Sequence, residues 1–307
     1  MKIKFCGAAR EVTGSAHLIE LDDHFKILLD CGLYQGGDDD GQAGDGKPMT
    51  GFNEKWLFNP AEIDCLVLSH AHIDHSGRIP KLVADGFQGK IYSTHATRDL
   101  CAAMLRDAAF IQESDARFLN KQIARGDLDS EPIEALYTEE DALAALERFV
   151  AIPYHRALRI APGVDLTFLD AGHVLGSAVT LLDVEDDGKV RRAAFTGDLG
   201  RNHMPILRDP EIARRAELLI SESTYGDRLH DPIEKMDEDL AAVIKRTFAR
   251  GGKVIIPAFA LERAQEIVFA LKALRRDGVL PPIPVFIDSP LTVQITEIFK
   301  LHPECFD

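Results

Sequence analysis

The segment His70-Ala71-His72-Ile73-Asp74-His75 places three imidazoles and a carboxylate within six residues. Such nitrogens and oxygens are ligands of Zn2+, at about 2.0 to 2.2 Å, and no clustered cysteines accompany them as in a structural zinc finger. The H-x-H spacing turns His70 and His72 to the same side of a strand end, so the two can hold one ion. Asp74 and His75 follow as the chain turns through Ser76-Gly77 into a helix, where they can face a second ion. Two ions need more donors than this loop contains. His173, in Ala171-Gly172-His173-Val174-Leu175-Gly176-Ser177, and Asp198, in Thr196-Gly197-Asp198-Leu199-Gly200, lie beside glycines that allow close backbone approach. The two carboxylate oxygens of Asp198 could bridge a pair of ions.

These residues sit at the ends of short apolar runs. Ile27-Leu28-Leu29 runs into Asp30, Leu66-Val67-Leu68-Ser69 into His70, and residues 166–169 lead through Asp170 to His173. Ala193-Ala194-Phe195 leads to Asp198, and Leu218-Leu219-Ile220-Ser221 to Glu222. Runs of this length bounded by Gly, Asp or Ser predict buried strands. Five strands then deliver His, Asp or Glu to their ends, where loops carry function. Helices are predicted over 99–124 and 138–150, the second opening on Glu139, Glu140 and Asp141. Residues 36–51, rich in Gly and Asp, read as an exposed, mobile loop. Beyond about Tyr225 the pattern becomes helix 234–250, strand 253–256, helix 261–275, strand 285–287 and helix 291–301, the alternation of a parallel α/β layer.

A chain of 307 residues predicts roughly two domains, here 1–225 and 226–307. With 46% hydrophobic and 28% charged residues, disorder and coiled coil are excluded. No run approaches the ~20 apolar residues of a membrane span, and the N-terminus carries no secretory signal. Cys6, Cys31, Cys65, Cys101 and Cys305 form an odd set without a C-x-x-C pair, which predicts reduced packing thiols and a cytoplasmic location. The net charge of -15 weighs against a nucleic-acid partner. Residues 241–280 run the other way, with eight cationic side chains against Glu262, Glu266 and Asp277.

Taken together, Asp30 in Leu29-Asp30-Cys31-Gly32, the hexamer from His70 to His75, His173 and Asp198 resemble the metal motifs of the metallo-β-lactamase superfamily. Ser221-Glu222-Ser223-Thr224-Tyr225-Gly226, then Ile256-Pro257-Ala258-Phe259-Ala260 with Arg263-Ala264-Gln265-Glu266, and Asp288-Ser289-Pro290-Leu291-Thr292 resemble its β-CASP branch of nucleic-acid processing nucleases. Within that branch the chain is similar to bacterial and archaeal relatives of the endonuclease that cuts pre-mRNA before polyadenylation. The resemblance implies an α/β fold: an αββα sandwich over the N-terminal portion, followed by part of a β-CASP domain.

It also implies roles. His70, His72 and His173 would hold one zinc, Asp74 and His75 the other, and Asp198 would bridge them. Asp30 would orient a ligand imidazole from behind, as metal-bound histidines require. Glu222 would support a catalytic histidine rather than bind metal. Arg263, Ser289 and Thr292 would contact phosphate, although Arg263 could instead pair along its helix with Glu262 or Glu266. The branch carries two further histidines for which this sequence has no match, His302 in Leu301-His302-Pro303 included. The second zinc site is therefore expected to be incomplete, in a chain that is a fragment or a truncated form inactive alone.

The activity expected of the intact protein is hydrolysis of RNA, single-stranded, by attack of a metal-bound hydroxide. Two rivals remain at this level: a hydrolase of a small ester or thioester, favoured by the acidic charge, and an inactive metal-binding scaffold. A homodimer, or a pairing with a homologue, is compatible with either an active or an inactive chain.

Overall fold

The computed structural model describes residues 1–21, 24–35, 51–186, 188–230 and 232–307. Two sheets lie face to face. The first takes its strands in chain order: β1 (Lys2–Phe5), β2 (His17–Glu20), β3 (Lys26–Leu29), β4 (Cys65–Val67), β5 (Lys90–Ser93) and β6 (Phe149–Ala151). Pairing is antiparallel from β1 to β3 and parallel from β3 to β6. The second sheet holds β7 (Leu158–Ala161), β8 (Val164–Asp170), β9 (Ala178–Asp186), β10 (Lys189–Phe195) and β11 (Leu218–Ile220), antiparallel except for the parallel β10–β11 pair.

Sequence periodicity explains which faces are buried. In β8 the side chains alternate, with Val164, Leu166 and Phe168 buried. Strand β4 and, from Ile27 on, strand β3 are apolar at every position because both faces are covered. Ile27, Leu29, Cys65 and Val67 join Leu166, Phe168 and Phe195 between the sheets. Leu28 and Leu66 point the other way, into a helical layer. Replacing the fully buried Phe168 by Ala should cost ~3–5 kcal/mol, read as a lowered midpoint in urea unfolding.

The helices are α1 (Ile73–Ser76), α2 (Ile79–Ala84), α3 (His95–Arg125), α4 (Glu139–Leu146), α5 (Met236–Ala249), α6 (Arg263–Arg276) and α7 (Pro290–Leu301). Ile79, Leu82, Leu100 and Ala142 pack with Leu28 and Leu66, and Ile295 and Phe299 of α7 enter the same core. No described helix is long and apolar enough to cross a membrane.

All five apolar runs expected to be strands are strands. The helix expected over 99–124 starts earlier, at His95, because the Thr94 hydroxyl accepts from the Thr97 amide and caps it. That expected over 138–150 is shorter: Thr138 and Asp141 form a capping box, the helix ends at Leu146, and Phe149 pairs with Ile91 in the sheet. The expected strands 253–256 and 285–287 do not form. Neither segment has a ladder partner among the described residues, and Ile255 and Phe286 are 87% and 85% exposed; an apolar run becomes a strand only beside a backbone that takes its hydrogen bonds. Of the loop expected over 36–51, residues 36–50 lie outside the described residues.

Candidate metal centre

Parallel pairing sends β3 and β4 to the same edge of the first sheet, and β8, β10 and β11 run in one direction in the second. Their carboxyl ends therefore open together, the usual place for a site in such sheets. Asp30 follows β3, His70 follows β4, His173 lies between β8 and β9, Asp198 follows β10 and Glu222 follows β11. Strand β4 stops at Val67, so His70 and His72 converge from the loop rather than from strand alternation. His72 is the residue before α1, whose single turn carries Asp74 and His75.

His70, His72, His173 and Asp198 each offer one ligand atom, and these atoms lie within 4.8 Å of one another. His70 Nε2 is 3.1 Å from His72 Nδ1, which is 3.3 Å from His173 Nε2. Asp198 Oδ2 is 3.6 Å from His173 Nε2 and 3.9 Å from His70 Nε2. Donors about 2.0 to 2.1 Å from a tetrahedral Zn2+ are ~3.3 Å apart, so the set fits such an ion. The other Asp198 oxygen, Oδ1, lies 3.2 Å from His75 Nε2, which is 3.7 Å from Asp74 Oδ2.

Electrostatics favour the same use at the four-donor cluster. Burial, with the neighbouring imidazoles, pushes His70 well below its ordinary value and His72 down to about 3, and lowers His173 too. Neutral imidazoles keep lone pairs free for a cation. Burial alone would raise Asp198, but His75 and the other histidines outweigh it and hold that carboxyl at about 2. Burial likewise opposes the charged form of His75, yet Asp30 and Asp198 raise it well above the ordinary imidazole value.

The fully buried Asp30 carboxylate organises this centre from behind. Its Oδ2 accepts from His75 Nδ1 at 2.7 Å and from the Ser69 and Ser15 hydroxyls at 2.9 and 3.1 Å, and its Oδ1 accepts from the Ser69 amide at 2.8 Å. Ser69 Oγ also lies 3.0 Å from His70 Nδ1. With both Nδ1 atoms engaged, the Nε2 atoms of His70 and His75 face the cluster. Gly32 is required by the same packing, because a Cβ there would sit 1.6 Å from the Asp74 carbonyl oxygen. Replacing Asp30 by Asn removes the anion behind His75, and zinc binding that involves His75 should weaken ~10–100-fold in a competition titration.

Glu222 touches the centre indirectly: its Oε1 accepts from the Leu199 amide at 2.8 Å, next to Asp198. Among the described residues, the hydrogen bonds of Arg263, Ser289 and Thr292 do not reach the cluster. Arg263 Nη1 donates to Glu266 at 2.8 Å, with the Arg263 side chain 53% exposed. Ser289 caps α7 by accepting from the Thr292 amide, and Thr292 is buried. His302 is held between Asp99 and Glu304. Sequence reasoning missed Ser69 and Ser15; adjacency of Ser69 to His70 was the one available signal.

The sequence family described as Metallo-beta-lactamase superfamily matches residues 9–258, and the Beta-Casp domain matches residues 264–307. The chain belongs to the metallo-beta-lactamase superfamily, and its last 44 residues match the Beta-Casp domain. It is 36% identical over 299 residues to Ribonuclease TTHA0252 of Thermus thermophilus, covering 97% of this chain and 61% of that protein. It is 30% identical over 308 residues to Transcription termination factor FttA of Methanosarcina mazei and 31% to that of Methanocaldococcus jannaschii, covering 99% of this chain and 44% of each. The chain thus spans roughly half the length of the relatives it matches.

Proposed function

We propose that the protein is a metal-dependent phosphodiesterase that hydrolyses RNA, single-stranded in preference to duplex, with two Zn2+ ions held at the strand ends. The observation that carries this reading is the orientation of Asp198, whose Oδ1 faces His75 while Oδ2 faces His173 and His70. One carboxylate thereby serves two donor sets. His70, His72, His173 and Asp198 would give a first ion four protein donors and Asp74, His75 and Asp198 a second three, so the first would be bound more tightly. Bound ions of this kind lower the pKa of water to about 7 and neutralise charge developing on phosphoryl oxygens.

The chain's own residues do the positioning. Asp30 keeps His75 Nε2 turned toward Asp198, and Glu222 fixes the loop of Asp198 through the Leu199 amide. In an acidic chain, phosphate needs local positive charge, which Arg263 and the exposed Lys245, Arg246, Arg250, Lys253, Lys272 and Arg275 offer. Ser289 caps α7 and Thr292 is buried in its first turn. The name of the Thermus thermophilus relative supports RNA as substrate. Five free, buried thiols support a reducing, cytoplasmic setting.

The product of the complete reading frame, offered single-stranded RNA, duplex RNA and a small thioester, tests the reading. Cleavage of the single strand is expected, with binding that weakens as salt rises because each phosphate contact releases counterions. Thioester turnover with RNA left intact would replace this reading by that of a small-ester hydrolase, and no turnover of any substrate by that of a scaffold.

A further inference from the structure

Glu262 is a buried acid in a strained backbone conformation. Its backbone lies at φ +69° and ψ −62°, and the Arg263 amide donates to the Leu261 carbonyl at 3.0 Å, closing a γ-turn of the rare left-handed kind. A non-glycine residue persists there only when its surroundings hold it, and such outliers gather where function requires them. The side chain is 7% exposed. Its Oε2 accepts from the Leu175 amide at 3.2 Å, and its Oε1 has no hydrogen-bond partner among the described residues. Burial, then the neighbouring Glu266, pushes this carboxyl up to about 8.

Leu175 belongs to the loop that presents His173. That loop is tied internally by Ser177, whose hydroxyl accepts from the His173 and Val174 amides at 3.0 and 3.2 Å. From outside the loop, the Thr94 and Thr97 hydroxyls donate to the Gly176 carbonyl and Tyr154 to that of Ser177, while the buried Leu175 amide donates to Glu262, 87 residues away at the start of α6 and beside Arg263. We infer that Glu262 is a positioning residue for His173, clamping the ligand loop to the helix that carries the basic side chains. The inference rests on the reading of His173 as a cation ligand. A strained turn and a buried acid both work against stability, and the clamp gives them a use: it ties the Leu175 side of the ligand loop to α6.

Two variants separate this from simple packing. Glu262→Gly removes the carboxyl and frees the turn, since glycine adopts φ +69° without penalty. Glu262→Gln keeps an amide oxygen to accept from Leu175 and resembles the neutral carboxyl. Zinc affinity, measured by competition with a chelating dye, should fall ~10–100-fold in the glycine variant and stay within about threefold in the glutamine variant. The thermal midpoint of the zinc-free glycine variant should equal or exceed that of the parent, while amides of residues 173–177 exchange faster. Parent-like zinc affinity in the glycine variant, equal losses in both variants, or a fall in midpoint matching the fall in affinity would each overturn the clamp. A parent protein without zinc affinity would instead remove the cation reading itself, and loop exchange in the zinc-free variants would still decide whether Glu262 holds the loop.

Discussion

His72→Ala should remove zinc from the protein: an equivalent retained by the parent through purification without chelator should fall below a tenth. His72 Nδ1 stands between His70 Nε2 and His173 Nε2, at 3.1 and 3.3 Å, so its loss takes away the central donor of the cluster. Removing a group that only orients a ligand typically costs ~10–100-fold in affinity, and removing the ligand costs more. Because burial already keeps His72 neutral down to about pH 3, the mutation relieves no proton competition that could offset the loss. Zinc content unchanged by the substitution, measured by elemental analysis, would place the metal elsewhere in the chain.

Asp74→Asn should have the second large effect, on turnover more than on zinc content. Asp74 lies on the His75 side of Asp198 and is absent from the four-donor cluster. Its substitution should spare the first ion and weaken the second, lowering RNA cleavage by about 10³-fold, the several kcal/mol that a second ion contributes at the phosphoryl oxygens. Single-turnover cleavage with zinc counted in the same sample checks this; full activity with one ion bound would make the second donor set dispensable.

The parts of this site that could be read from the sequence are those that strand geometry dictates. An apolar run leading to His, Asp or Glu announces both a strand and what the loop after it delivers, and Asp30, His70, His173, Asp198 and Glu222 all lie within three residues after a strand. The hexamer was legible for its density of donors, although its convergence comes from a loop and one turn of helix rather than from strand alternation. Ser69, Ser15 and Glu262 were not legible, because hydroxyls and acids are common and their partners lie 15 to 87 residues away. The segments 253–256 and 285–287 show the opposite failure: their side chains suit a strand, but strand formation is a property of pairs, and no partner lies beside them among the described residues.

A zinc titration decides whether the cluster that follows the strands holds cations needed for RNA cleavage. Chelator-treated protein from the complete reading frame is mixed with single-stranded RNA, and Zn2+ is added stepwise, with Asp198→Ala purified in parallel. Cleavage should be absent without zinc, recover as zinc is added, and fail to recover in Asp198→Ala at any concentration, because that residue faces both donor sets. Equal cleavage by the chelated parent and by Asp198→Ala would contradict this.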